Sequence, residues 1–148
     1  MGISRLSTRR TVLIVLLSHD SRTILLHQST STATWCPLRL DVPRGSSSAK
    51  VVRRWQRQGT ALRNLRRGGV TGHLMTIASS PAGPTAQKYQ VMIFKLSEPT
   101  TPASVPPSAQ WWPITQLKQA TVFPRELGLF MEGYVEGWIP DGRITLDN

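Results

Sequence analysis

Two apolar, β-rich runs limit most tightly what this chain can fold into. Residues 11–17 (TVLIVLL) and 89–96 (YQVMIFKL) are dense in β-branched and apolar side chains, the composition of buried strands. Between them, from about Ala49 to Leu65, Val52, Trp55 and Leu62 recur at offsets of 3 and 7, the spacing of one helix face. Ser47 or Ser48 is a fair N-cap for that helix, Gly59 weakens its middle, and Gly68-Gly69 reads as its stop. At 148 residues the chain holds one domain with a real core and is too short for two comfortable ones.

The remaining punctuation fills in an α+β order. His19-Asp20-Ser21-Arg22 turns the first strand into a second at 23–27, and a short strand at 38–42 is broken by Pro43-Arg44-Gly45-Ser46. A strand at 70–78 precedes the 89–96 run. Residues 98–108 carry Pro99, Pro102, Pro106 and Pro107 and read as irregular loop. Trp111-Trp112-Pro113-Ile114 resumes structure, residues 115–120 suit a helical turn, and 124–138 reads as a last helix with Leu127, Phe130, Met131 and Tyr134 on its apolar side. The expected organisation is a basic N-terminal segment at 1–10, the domain at 11–140 and a C-terminal tail at 141–148.

Charge is distributed unevenly. The net charge is +10, but residues 1–97 hold 15 basic residues against two acids, Asp20 and Asp41, whereas 98–148 hold three against six. A basic body attracts polyanions such as nucleotides, nucleic acid or anionic surfaces. The single cysteine, Cys36, excludes an internal disulfide and a multi-cysteine zinc site; buried and inert is its expected state. His19, His27 and His73 show no metal-protease spacing. The longest apolar run is far too short for a transmembrane helix. Nothing asks for an oxidising compartment, which favours an intracellular setting; the Arg- and Ser-rich, acid-free start also suits an organelle transit peptide.

The order strand, strand, loop, helix, strands, helix resembles the Nudix fold, a mixed sheet sandwiched between helices, over roughly residues 10–138. The family's signature reads Gly, five residues, Glu, seven residues, then Arg-Glu-apolar-x-Glu-Glu-x-Gly-apolar. Laid without gaps on residues 40–62, it matches Arg54 and Leu62. The lead-in Trp35-x-Pro37 and the later Trp112-Pro113-Ile114 with Leu117 are similar to the family's flanking features. Every glutamate of the signature is replaced: Ser46, Trp55, Gln58 and Gly59 stand in those places, Leu40 replaces the opening glycine and Ala61 the late one. The resemblance implies phosphoryl displacement from a diphosphate assisted by a divalent metal. Such hard cations need carboxylate oxygens, so the replacements imply a catalytically impaired domain with no catalytic residue and no metal ligand.

In place of the acids the helix carries cations. Lys50, Arg53, Arg54 and Arg57 share a face, preceded by Arg44 and followed by Arg63, Arg66 and Arg67. Arginine forks bind phosphate oxygens bidentately, so Arg44, Lys50, Arg53, Arg54 and Arg57 are the expected phosphate-binding set for a nucleotide or nucleic acid; a solvated helix face is the competing reading. Trp111 and Trp112 are the stacking candidates, a contact worth about 1–3 kcal/mol per base. Adjacent in a strand, they point to opposite sides, while Trp55 belongs to the core. Two alternatives stand beside polyanion binding. One is a scaffold or assembly subunit with a protein partner. The other is a hydrolase of nucleoside diphosphate derivatives using Mg²⁺ in a site rebuilt from Glu126, Glu132 and Glu136, of which Glu132 and Glu136 share a helix face.

Overall fold

The structure is a computed structural model describing residues 7–58, 65–99 and 107–147. Its elements are β1 (Ser7–Leu17), β2 (Thr23–Gln28), β3 (Trp35–Cys36), β4 (Leu38–Val42), α1 (Ser48–Arg57), β5 (Leu65–Ser80), β6 (Gly83–Leu96), β7 (Ala109–Pro113), a 3-10 helix (Ile114–Gln119), α2 (Leu127–Glu136) and β8 (Gly142–Thr145). The eight strands form one mixed sheet in the order β3-β2-β1-β6-β5-β8, with β4 also paired to β1 and β7 to β2. The central pair, β1 and β6, is parallel from Ser7↔Thr85 to Leu17↔Lys95.

Strand alternation explains why the two apolar runs are so dense. In β1, Leu13, Val15 and Leu17 face one side, and Val12, Ile14 and Leu16 the other. The first set packs with Val91 and Ile93 of β6 against Leu117 of the 3-10 helix and Leu127, Phe130 and Met131 of α2. The second packs with Met92 and Phe94 against Val52 and Trp55 of α1. Both faces are covered along residues 12–17 and 91–94, so apolar side chains run continuously there instead of alternating with polar ones. The sheet thus has an α2 face and an α1 face.

Several boundaries differ from those expected. β1 begins at Ser7, because pairing with β6 carries the strand through the polar, exposed residues Thr8, Arg9 and Arg10, which hydrophobic patterning does not register. α1 ends at Arg57 with Gln58 as its C-cap; Gly59 and Leu62 lie outside the described residues, and Leu65 already opens β5. Gly68 and Gly69 therefore do not stop a helix. They sit inside β5 at the register shift between Arg67 and Thr71, where a Cβ on Gly68 would come within 2.5 Å of the Tyr134 hydroxyl and one on Gly69 within 2.6 Å of the Asp141 carboxyl. Lastly, the stretch read as a tail contains β8, parallel to Val70–His73 of β5, with Leu146 buried behind it. Its four residues are too few and too polar to announce a strand without their partner. The last helix is trimmed to Leu127–Glu136 and closes on Gly137 at φ 79°, the left-handed conformation that glycine adopts freely.

Candidate functional site

α1 is held in place by few contacts. Ser47 accepts a hydrogen bond from the Lys50 amide at 3.2 Å and caps its start. Val52 and Trp55 are its only buried residues, Trp55 meeting Phe94 at a centroid distance of 5.7 Å. That anchorage sets the helix's rotation. Laid without gaps, the signature's apolar position after Arg-Glu falls on Gln56, which is exposed, and a glutamate position falls on Trp55, which is 8% exposed. The core position is thus one residue earlier. With Trp55 in the apolar place, the helical acid positions fall on Arg54, Arg57 and Gln58, so neither register offers a carboxylate.

Beside α1 runs a groove made of two cavities of about 370 and 430 Å³, joined at Ser48 and Gln90. Arg53 from α1 and Arg67 from β5 line one; Arg10, Lys88 and Arg143 line the other. Among the described residues the lining contains no carboxylate. Arg10 donates to the Ser46 carbonyl at 2.6 Å, which fastens the strand to the loop before α1. Arg143 donates from Nε to His73 Nε2 at 3.1 Å, leaving the other ring nitrogen to carry the proton. Burial, and then the Arg143 charge, push the His73 pKa below its usual value. The Gln90 side-chain oxygen is buried without a hydrogen-bond partner among the described residues, a cost of about 1–3 kcal/mol that a ligand N–H would relieve.

The expected phosphate set is divided by this geometry. Arg53 lies in the groove. Lys50, Arg54 and Arg57 are exposed along α1 and line neither cavity. Arg44 belongs to a separate cavity of about 600 Å³ with Arg9, Arg10 and Arg39. Arg10, Lys88, Gln90 and Arg143 were missed by sequence reasoning because they come from three strands scattered along the chain, whereas Arg67, one of the cations noted after the helix, reaches the groove from a fourth. Lys88 and Gln90 did leave a signal, as polar residues on the same side of β6 as Met92 and Phe94.

Trp111 and Trp112 do take opposite faces, but neither lines the groove. Trp112 packs edge-on against Trp35 at 5.3 Å, with its indole N–H buried and without a hydrogen-bond partner among the described residues. Trp111 is half-buried beside Leu96 in a shallow recess. The acids of the last helix do not converge. Glu132 pairs with Lys118 at 3.2 Å, Glu136 accepts from the Trp138 indole, and Glu126 accepts from the Asp147 amide. Among the described residues no three His, Cys, Asp or Glu side chains gather anywhere. The divalent metal that the resemblance implies needs carboxylate oxygens, and the groove's donor set does not fit it. Cys36 is far from reactive, its thiol pushed up to about 11 by burial.

No protein-family model and no curated protein matches this sequence. Solved structures match its shape. A Nudix hydrolase from M. smegmatis, RenU, is 16% identical, with 90% of this chain and 88% of that chain covered and a TM-score of 0.54. The E. coli dihydroneopterin triphosphate pyrophosphohydrolase is 11% identical, with 90% and 99% covered and a TM-score of 0.60. The C-terminal domain of mouse MUTYH, in complex with human PCNA, is 15% identical, with 92% and 94% covered and a TM-score of 0.60. The chain has the Nudix fold: a mixed sheet of eight strands between helices, in one domain.

Proposed function

We propose that this is a catalytically impaired Nudix-like domain that binds nucleotide or nucleic-acid phosphates without metal, in the groove beside α1. The observation that carries this reading is the groove's lining, five cations and no carboxylate among the described residues, in the layer where the resemblance would place acids. Arg53 and Arg67 present forks to phosphate oxygens from two elements. Arg10, Lys88 and Arg143 do the same at the other end. The first turn of α1, at Ser48, adds the positive end of a helix dipole. Gln90, between the two cation groups, has a side-chain oxygen with no partner among the described residues, an acceptor for a base N–H. Lys50, Arg54, Arg57 and, from its own cavity, Arg44 raise the surrounding potential and draw a polyanion in.

The test is fluorescence anisotropy with a labelled oligonucleotide and with ATP as competitor, in EDTA. Arg53→Glu with Arg67→Glu lowers affinity at least tenfold, and Arg54→Glu with Arg57→Glu much less. Unchanged affinity in the first variant refutes the groove. Adding Mg²⁺ or Mn²⁺ yields no nucleoside monophosphate from nucleoside diphosphate derivatives; turnover that EDTA abolishes would establish the hydrolase reading instead.

A second reading, a protein-docking domain, is favoured by one feature. β5 runs past the end of β8 and shows Met75 and Ile77 at 52% and 63% exposure beside an open strand edge. A neighbour of the same fold, the MUTYH domain, is itself complexed with a protein. A partner that co-purifies after nuclease treatment and is lost in Ile77→Asp would select this reading.

A further inference from the structure

The arginine cavity on the far side of β1 has no role in the groove. Alternation along β1 and β4 puts Arg9, Arg39 and Asp41 on the α2 face, opposite α1. Arg44 joins them from the loop before α1, and Arg10 borders both this cavity and the groove. Among the described residues none of these guanidiniums is within salt-bridge distance of a carboxylate, although Asp41 lines the same cavity. Two of them are already positioned. Arg10 is tied to the Ser46 carbonyl. Arg39 lies 5.8 Å over the Tyr89 ring, which is itself braced edge-on by Phe123 at 5.0 Å. Unpaired like charges held together repel, and fixing them in advance lowers the cost of binding an anion.

We infer that this cavity is a second phosphate site, taking the backbone of a single nucleic-acid strand. Its volume, about 600 Å³, holds several phosphates. Among the described residues Val42 is the one apolar residue in its lining and no aromatic side chain lines it, so it offers a base no aromatic platform and a lipid little apolar surface. All its cations are arginines, the side chain whose fork matches phosphate oxygens. The site is independent of the groove except for the shared Arg10.

Tripolyphosphate and an oligo-dT of ten nucleotides test this. Calorimetry with tripolyphosphate gives two sites per chain in the wild type, one in Arg9→Ala with Arg39→Ala and Arg44→Ala, and one in Arg53→Glu with Arg67→Glu. With oligo-dT the triple variant loses at least tenfold in affinity, and its log–log salt dependence flattens by about 2, roughly 0.7 for each phosphate contact removed. A triple variant that binds both probes as the wild type does overturns the inference and leaves the groove reading untouched; loss confined to the groove variant has the same meaning. Binding that needs Arg9, Arg39 and Arg44 but is shown only by polyglutamate or phosphatidylserine vesicles also overturns it. Should the triple variant misfold, the wild type decides: the Arg9 and Arg39 Nε–H resonances shift on adding tripolyphosphate, and their failure to move refutes the site.

Discussion

Trp55 decides where α1 points, and replacing it tests that claim directly. The side chain is 8% exposed and packs on Phe94, and besides Val52 it is the only buried residue of the helix. A tryptophan buries about 150–250 Å². At roughly 25 cal/mol per Å² that is about 4–6 kcal/mol for the whole side chain. Alanine keeps only the Cβ, so Trp55→Ala should cost about 3–5 kcal/mol, the usual range for deleting a buried aromatic. Gln56 is exposed, so Gln56→Ala should stay within about 0.5 kcal/mol. Urea unfolding followed by circular dichroism reads both. With a slope of about 2 kcal/mol per M, the Trp55 midpoint falls by roughly 2 M. A small loss at Trp55 with a large one at Gln56 would mean that α1 is rotated by one residue. The gap-free signature register would then be restored, and Arg53 would leave the groove.

Three further outcomes follow from packing and titration. Gly68→Ala places a Cβ within 2.5 Å of the Tyr134 hydroxyl and should cost about 1–3 kcal/mol by overpacking; adding Tyr134→Phe, which removes the nearest atom, should recover part of that in the same melts. Burial depresses the pKa of His27 and, with Arg143, that of His73 from the usual 6.5. The folded state then binds fewer protons than the unfolded state, so stability is complete above about pH 6.5 and falls as pH drops below it; a melting temperature no lower at pH 5.5 than at pH 7.5 would contradict this. Cys36, with its thiol raised to about 11, should alkylate at pH 8 far more slowly in the native protein than in urea, as mass spectrometry would show.

How much was legible beforehand depends on how far each signal reaches along the chain. The hairpin through Asp20, the helix capped at Ser47 and the strand at 89–96 were readable because turn chemistry, capping and apolar density act within a few residues. Trp55 could be assigned to the core from its offset to Val52 alone. β8, the true start of β1 and the role of Gly68 and Gly69 were not readable. Each is created by a partner distant in sequence: β5 for the first, β6 for the second, Tyr134 and Asp141 for the third.

The sequence by itself determined the Nudix-type order of elements, the uneven charge and the lack of acids on α1, since these are properties of residue identity and local period. Only the tertiary structure decided which cations act together. It separated Arg53 from Arg44, left Lys50, Arg54 and Arg57 on the outer face, and gathered Arg10, Arg67, Lys88 and Arg143 along one groove. The reason is geometric. A helix turns its side chains by 100° per residue and a strand by 180°, so neighbours in sequence part company. Strand pairing brings residues from opposite ends of the chain, such as His73 and Arg143, to 3.1 Å.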